Sequence, residues 1–261
     1  MPNSTQIAAQ MFTLRDHCET PADIAKTLGR LKDMGFNACQ PSAAGFKDID
    51  PKELKKILDD HGMACAATHR QLEQLSDTAA AIDYHKTLDC ELTAIGGFGF
   101  GGKSRDEWLA FIDEYSKIAD ELAAGGLKLG YHNHSHEWAP LGDPAPDVDT
   151  PIGLMRERMA QSVWLEIDTY WVAHGGGDPA AWIEAFSGRV PAIHVKDLTI
   201  TAHREHKMCE VGSGNLNWPR ILDAAKQAGV RWYIIERDSG DLDPFESLKI
   251  SLDNLHTMGL A

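Results

Sequence analysis

The chain has 261 residues, 43% of them hydrophobic, and a formal net charge of −14 at pH 7. This apolar content is enough for a sizeable core and excludes a largely disordered chain. The negative charge argues against nucleic acid or an anionic membrane as a partner, because their phosphate groups repel an acidic surface.

Cysteine use and the N-terminal segment point to the compartment. The five cysteines are scattered and form no CxxC pair, as in proteins whose thiols stay reduced. The first residues, MPNSTQIAAQMFTLRD, lack the basic and long apolar segments of a signal peptide. No apolar run reaches the roughly 18 residues of a membrane span. We therefore expect a cytoplasmic protein that does not contact a membrane.

Short apolar runs alternate with amphipathic segments along the first half of the chain. Thr20 and Asp50 each precede a proline, the pattern of a helix N-cap followed by proline in the first turn. Gly35 and Gly62 follow amphipathic segments and favour helix termination. We predict strands over 7–12, 36–40, 63–68 and 92–95, and helices after Thr20 and Asp50, over 76–88 and after Ser104.

The second half of the chain repeats this alternation. Strands are predicted over 127–131, 163–168 and 231–235, with another that ends at His194; helices are predicted over 152–159 and 218–228, after Gly175–Gly177 and after Asp243; and a long polar loop is expected over 199–215. Eight strands alternating with eight helices, at a repeat of roughly 30 residues, predict an α/β fold, a closed (β/α)8 TIM barrel, in a single domain over 1–261. A doubly wound open sheet is the alternative fold.

Ionisable side chains stand where the predicted strands end. His69 follows strand three, His132, Asn133 and Glu137 follow strand five, Asp168 ends strand six, His194 and Lys196 end strand seven, and Glu236 follows strand eight. In a parallel barrel these carboxyl ends form one rim, where active sites are built. The period of two along a strand places Asp168 on the same face as Glu166 and turns His132, His194 and Glu236 inward.

The residue types at this rim favour a divalent cation. Carboxylates and imidazoles without thiolates suit Mn²⁺, Mg²⁺, Co²⁺ or Zn²⁺. A single histidine at a strand end is more often a hydrogen-bonded structural residue, and a single acidic residue in such a loop is commonly a helix cap. Four such residues on consecutive strands, all turned inward, favour one shared site.

Five segments of the chain resemble a known family. They are GYHNHSHEW (130–138), LEIDTYWVAHGGGDP (165–179), IHVKD (193–197), EVGSGNLNW (210–218) and IERD with the following DPFESLKISLDNL (243–255). With the alternating strands and helices they resemble the xylose isomerase-like TIM barrels over nearly the whole chain. That family includes sugar and sugar-phosphate isomerases and epimerases, tagatose 3-epimerase and inosose dehydratase.

The resemblance implies one divalent metal ion bound by side chains of strands five to eight. Three ligands carry over directly as Asp168, His194 and Glu236. Many relatives have a glutamate at the end of strand five, where this chain has His132, with a glutamate only at Glu137. We predict Glu137 as the fourth ligand, and His132 as an acid/base residue or the alternative ligand.

The predicted chemistry begins with a substrate carbonyl and an adjacent hydroxyl held by the metal, which acidifies the C–H between them and stabilises an enediolate. Glu236 with Glu137 or His132 would move the proton. Return of the proton to the substrate would make the protein an epimerase or an isomerase. Loss of a β-hydroxyl instead would make it a dehydratase or lyase acting on a keto-inositol or 3-keto-sugar.

The expected partner is a small carbohydrate substrate, and the protein is a possible homo-oligomer. Predicted substrate contacts are His69, Asn133, Trp171, His174 and Lys196.

Two other classes of function stay open. Gly97–Ser104 reads GFGFGGKS and matches the pattern of a P-loop that binds nucleotide phosphates, although its two phenylalanines are unusual in a phosphate cradle. The alternative interpretation is a Gly-rich rim loop whose Phe98 and Phe100 line the substrate entrance. A non-enzymatic subunit on the same fold is the third class, and bound metal would argue against it.

Overall fold

The computed structural model describes residues 6–42, 44–142 and 149–260. Its strands are β1 (Gln6–Gln10), β2 (Ala38–Gln40), β3 (Ala64–Cys65), β4 (Thr68–His69), β5 (Leu92–Ile95), β6 (Lys128–His132), β7 (Trp164–Asp168), β8 (Ala192–Val195), β9 (Asp197–Ile200), β10 (His206–Cys209) and β11 (Trp232–Ile235). The helices are α1 (Pro21–Met34), α2 (Pro51–Asp60), α3 (Leu72–Ser76), α4 (Thr78–Thr87), α5 (Arg105–Ala124), α6 (Pro151–Arg158), α7 (Thr169–His174), α8 (Pro179–Ala185), α9 (Trp218–Ala228) and α10 (Pro244–Thr257). Short 3-10 helices span Met11–His17, Ala44–Phe46 and His136–Trp138.

Nine strands form one parallel sheet in the order β3-β2-β1-β11-β8-β7-β6-β5-β4. Its two end strands, β3 and β4, are consecutive pieces of one barrel strand, separated by Ala66 and Ala67. The Ala66 amide donates to Cys39 O at 2.9 Å and the His69 amide donates to Pro41 O at 3.1 Å, so the interrupted strand stays against β2 while β4 pairs with β5. The nine strands therefore occupy eight positions, and the predicted (β/α)8 barrel is confirmed.

The strand faces carry two separate cores, as the period of two predicts. The outward side chains, among them Leu165, Ile167 and Val195, pack against the helices in the large core. The inward side chains form a small core, made mostly of alanines together with the indole of Trp164. That indole lies where a side chain at residue 130 would be, because a Cβ built on Gly130 would lie 2.3 Å from Trp164 Cε2. Trp164 thus fills the interior below the strand ends.

The predicted helix starts are confirmed by their caps. The side chains of Thr20, Asp50, Ser104 and Asp243 each accept hydrogen bonds from backbone amides in the first turn that follows. Such caps satisfy amides that have no partner within the helix. In the described parts of the chain, no helix is long and apolar enough to span a membrane.

The predicted helix over 76–88 is confirmed as α4, which the Asp77 side chain caps by accepting a hydrogen bond from the Ala80 amide, and a short helix that was not predicted, α3, precedes it. One prediction of local structure was wrong. The expected loop over 199–215 contains part of an antiparallel hairpin in which β9 pairs with β10. Leu198 and Met208 of this hairpin pack against Tyr170, a tertiary contact that the polar local sequence does not signal.

We expect Gly130→Ala to destabilise the barrel by about 1–3 kcal/mol, because the added methyl would overlap the Trp164 indole inside a packed strand. The free energy of unfolding from urea denaturation measures this effect. Gly29→Ala is the matched control: its Cβ would approach His61 no closer than 3.5 Å within α1, so we expect a neutral or slightly stabilising effect. Equal losses in both variants would contradict the steric explanation.

Candidate active site

A cluster of buried polar side chains lies at the carboxyl ends of the strands. His132 and Asp168 are the last residues of β6 and β7, His194 lies near the end of β8, and Glu236 directly follows β11. All four are buried. A cleft of about 570 Å³ opens above them, and His132 and Glu236 line part of its wall. The alternating polar strand ends therefore meet in one pocket, at the end of the barrel where the fold places active sites.

The geometry of this cluster fits a metal ion. His132, Asp168, His194 and Glu236 each offer a ligand atom, and these four atoms lie within 4.8 Å of one another. His132 Nδ1 and Asp168 Oδ2 are buried and have no hydrogen-bond partner among the described residues. Burial, with the nearby His194, holds the pKa of His132 well below its usual range, which keeps the imidazole neutral as a ligand must be. Two imidazoles and two carboxylates suit a divalent cation.

A second possible cluster contains His69, Glu166, His132 and His194. It shares two histidines with the first. Glu166 is already engaged, since it hydrogen-bonds to His69 Nε2 and accepts from Gln40 Nε2 at 2.8 Å. Burial opposes the charge on Glu166, but His194 and His69 outweigh burial and hold its pKa well below the usual range. Its charge is thus balanced within the protein, and the first cluster is the better candidate for a metal.

Gln40 fixes the orientation of His194. A carboxylate only accepts hydrogen bonds, so the Gln40 amide nitrogen must face Glu166. Its amide oxygen then faces His194 Nε2 at 2.7 Å and accepts a second bond from Gln10 Nε2 at 2.7 Å. The proton of His194 is therefore required on Nε2, which leaves Nδ1 directed at Glu236, 2.8 Å away. Burial opposes a charge on His194, but Glu166 and Glu236 outweigh burial and raise the pKa of His194 to about 10, so Nδ1 also carries a proton, which a cation would displace.

The structure places Glu137, the predicted fourth ligand, outside both clusters. Its carboxylate accepts a hydrogen bond from the Tyr131 hydroxyl at 2.7 Å and another from the His134 amide at 2.9 Å. Tyr131 belongs to the outer face of the barrel, so the loop after β6 turns Glu137 away from the interior. Burial raises the pKa of Glu137. His132, the alternative ligand from the sequence, is the residue of this strand that lies in the cluster.

The predicted substrate residues are not all at the cleft. His69 lines it, together with Arg70, Gln74 and other polar side chains. Asn133 instead accepts a hydrogen bond from the Asp168 amide at 3.0 Å and so positions the end of β7. Trp171 packs against His134 with ring centroids 5.2 Å apart.

His174 and Lys196 also differ in position. The His174 ring lies 5.0 Å from that of His206 in the hairpin, between ring centroids. Lys196 is completely buried, with its ammonium 3.0 Å from Asp168 Oδ2 and 2.8 Å from Glu236 Oε2. The Lys196 side chain therefore lies within the candidate metal cluster and makes ion pairs there. A substrate contact stays a prediction for these five residues.

Three residues near the site were not predicted by the sequence. Gln10, Gln40 and Glu166 form the buried polar layer below the cluster. The period of two already turned Glu166 inward, and a carboxylate facing a barrel interior was the signal that could have identified it. The two glutamines carry no such signal, since a polar residue at the end of a short strand is common.

The P-loop interpretation of Gly97–Ser104 finds no phosphate cradle in the structure. Ser104 caps α5, and Lys103 pairs with Glu107 at 2.8 Å on the exposed surface. Phe98 packs against the ring of Phe111 with centroids 4.0 Å apart. Phe100 is 62% exposed and lines the cleft. This segment is therefore a loop at the rim of the cleft, in which Phe98 is packed in the core and Phe100 is exposed beside the rings of His134 and His136.

The sequence identifies the class of protein that this barrel and site define. The family described as "Xylose isomerase-like TIM barrel" matches residues 28–257, and the chain belongs to this family.

Curated relatives share the family but only part of their length. The chain is 26% identical over 60% of its length to the rhizopine catabolism protein MocC of Rhizobium meliloti, of which the match covers 51%. It is 24% identical over 55% of its length to the inosose dehydratase of Clostridium beijerinckii, of which the match covers 52%. It is 21% identical over 80% of its length to the L-ribulose 3-epimerase of Mesorhizobium japonicum, of which the match covers 73%. The chain thus spans about half the length of the first two relatives.

Solved structures confirm the fold. A sugar phosphate isomerase/epimerase from Parabacteroides distasonis superposes with a TM-score of 0.79 at 21% identity, over 98% of this chain and 95% of that one. A xylose isomerase-like TIM barrel protein from Mycobacterium smegmatis, in complex with magnesium, superposes with a TM-score of 0.75 at 15% identity, over 99% of this chain and 98% of that one.

We expect Gln40→Met to weaken Mn²⁺ binding about tenfold, because residues that orient a metal-binding histidine usually contribute this much to affinity. Isothermal titration calorimetry of the metal-free protein measures the change. Gln71→Met, also at the cleft but exposed, is the control and should bind Mn²⁺ like the wild type. An unchanged affinity in Gln40→Met would contradict the role given to this side chain.

Proposed function

We propose that this protein is a divalent-metal-dependent enzyme that isomerises or epimerises a carbohydrate. The observation that carries the proposal is the buried set of His132, Asp168, His194 and Glu236, in which two ligand atoms have no hydrogen-bond partner among the described residues. The L-ribulose 3-epimerase among its relatives supports the same class of reaction. Magnesium in a structure of the same fold supports a bound metal.

The proposed ligands are His132, Asp168, His194 and Glu236, with His132 taking the place first given to Glu137. A divalent cation bound there would polarise a substrate carbonyl and its neighbouring hydroxyl, and so acidify the C–H between them. Mn²⁺, Mg²⁺, Co²⁺ and Zn²⁺ all suit this mixture of nitrogen and oxygen ligands.

Two side chains at the cleft would move the proton in the proposed reaction. Glu236 borders the cleft from the eighth barrel strand, and His69 borders it from the third. These strands lie three positions apart in the ring of eight, so the two groups approach a substrate from different sides. Glu166 hydrogen-bonds to His69 Nε2 and so orients the ring. In our proposal Glu236 removes the proton and His69 returns it, with His132 as the alternative to His69.

The carbon that receives the proton decides the product. Return to the opposite face of the same carbon inverts that carbon and gives an epimer. Return to the neighbouring carbon exchanges an aldose for a ketose. The cleft also presents the amides of Gln71 and Gln74 and the guanidinium of Arg70, groups that hydrogen-bond to sugar hydroxyls.

A dehydratase acting on a keto-inositol or 3-keto-sugar is the second candidate. Asp238 borders the cleft beside Glu236, and burial, with the charge of Glu236, raises the pKa of Asp238 to about 6. A carboxyl group that is partly protonated near neutral pH is suited to protonate a departing hydroxyl. The inosose dehydratase among its relatives supports this candidate.

Solvent isotope exchange tests the proposed reaction and separates the candidates. The protein, loaded with Mn²⁺, is incubated in D₂O with a panel of ketoses, aldoses and inososes and followed by NMR. Deuterium at a carbon next to the carbonyl, without loss of water, is the expected result for an isomerase or epimerase. A dehydrated product would favour the second candidate, and no reaction with any carbohydrate would contradict both.

We expect Asp168→Asn to lower turnover by roughly 10²–10⁴-fold and to weaken metal retention, since it removes a charged ligand. Turnover and metal content by mass spectrometry are measured on the same preparation. Asp178→Asn is the control, because Asp178 caps α8 on the surface and pairs there with Arg220. A wild type without bound metal, together with full activity in Asp168→Asn, would exclude the proposed mechanism.

A further inference from the structure

Lys196 and Asp238 stand two residues beyond two of the proposed ligands. Lys196 follows His194 and Asp238 follows Glu236 at this spacing, just after the paired strands β8 and β11. Residues two apart on a strand point to the same face, so both side chains extend the inward-facing row by one step. The strand pattern alone therefore brings an ammonium and a third carboxylate next to the proposed metal site.

The Lys196 ammonium makes two kinds of contact. It donates hydrogen bonds to both carboxylate oxygens of Asp238, at 3.1 and 3.0 Å. It also lies 3.0 Å from Asp168 Oδ2 and 2.8 Å from Glu236 Oε2, yet Asp168 Oδ2 lacks a hydrogen-bond partner in the described part of the chain. Lys196 thus hydrogen-bonds to Asp238 and makes its shortest ion pair with Glu236, whereas its contact with Asp168 is an ion pair without hydrogen-bond geometry.

Lys196 shares its carboxyl partners with the proposed metal site. Asp168, Glu236 and Asp238 lie within ion-pair distance of its ammonium, and Glu236 also pairs with His194 at 2.8 Å. A divalent cation at this site would bring further positive charge beside the same carboxyl groups. It would also bind to Asp168 and Glu236, the carboxylates that Lys196 touches, so the ammonium and the cation compete for them.

We propose that Lys196 is an internal counter-cation of the metal site, and that Asp238 holds it away from Asp168 and Glu236 when a divalent cation binds. Lys196 then stabilises the site when no metal is bound. Asp238 lowers the free-energy cost of moving the Lys196 ammonium away from the ligands when a metal binds. The inference rests on the metal site proposed above and assigns to Lys196 a positioning role in metal binding instead of a contact with substrate.

Mn²⁺ titration of two single variants tests this competition. Lys196→Met should bind Mn²⁺ about tenfold more tightly than the wild type, the size of effect common for residues behind metal ligands, because the competing charge is gone. The metal-free form of Lys196→Met should unfold at a lower temperature, since the carboxylates lose their counter-charge.

Asp238→Asn should bind Mn²⁺ about tenfold more weakly than the wild type, because the Lys196 ammonium then remains paired with the ligand carboxylates. Affinities come from calorimetry and unfolding temperatures from differential scanning fluorimetry, so neither measurement depends on activity.

The double variant separates coupling from two independent effects. In Lys196→Met/Asp238→Asn, the loss caused by Asp238→Asn should disappear, because no ammonium remains to be drawn away. Lys207→Met is the matched control, since Lys207 pairs with Asp241 on the exposed surface. It should leave Mn²⁺ affinity unchanged.

Three results would overturn the inference. The first is wild-type Mn²⁺ affinity in a folded Lys196→Met protein, and the second is weaker binding in both single variants, which would mean that Lys196 orients the ligands. The third is an Asp238→Asn loss that persists in the double variant. Lys196→Gln replaces Lys196→Met if circular dichroism shows that the latter is unfolded. A wild type that binds no Mn²⁺, Mg²⁺, Co²⁺ or Zn²⁺ would contradict the proposed function itself.

Discussion

Buried charge in the barrel interior is the constraint on which the upper half of this structure depends. Glu166, Asp168 and Glu236 are carboxylates taken almost completely out of water, and each costs several kcal/mol unless partners compensate it. The partners are protonated imidazole and ammonium groups on neighbouring strands. Burial opposes the charge of His194, but Glu166 and Glu236 outweigh it and raise the pKa of His194 to about 10. The same carboxylates that a cation would need therefore also stabilise the barrel interior through their ion pairs with His194 and Lys196.

The lower half of the barrel explains why the charged layer lies where it does. Alanines, Leu92, Ile234 and Trp164 fill the interior below the strand ends. The indole of Trp164 donates to Lys128 O at 3.0 Å, so even its one polar atom has a partner. The polar side chains lie beyond this apolar layer, where the cleft reaches solvent. The apolar inward side chains thus form the floor of the barrel interior, and the polar side chains at or just beyond the ends of β6, β7, β8 and β11 form the candidate site above it.

Relative to this floor, the loops decide which charged groups reach the site. Asp197 accepts hydrogen bonds from the Gly212 and Gly214 amides at 2.9 and 3.0 Å and from Trp218 Nε1 at 2.6 Å, which anchors the loop after the β9–β10 hairpin. The loop after β6 does the opposite for Glu137, since it directs that carboxylate to Tyr131. Asp197 thus anchors a loop and Glu137 pairs with a residue of the outer core, although each lies within five residues of a metal-ligand candidate in sequence.

The sequence by itself determined the barrel, its helix caps and the inward direction of His132, Asp168, His194 and Glu236, because these follow from local periodicity and capping chemistry. Only the tertiary structure placed His132 inside the cluster and Glu137 outside it, since the position of Glu137 depends on how a loop packs against Tyr131. It also decided that Lys196 pairs with three carboxylates from other strands. Strand parity gives the direction of a side chain, whereas the distances between charges on different strands arise only when the barrel closes.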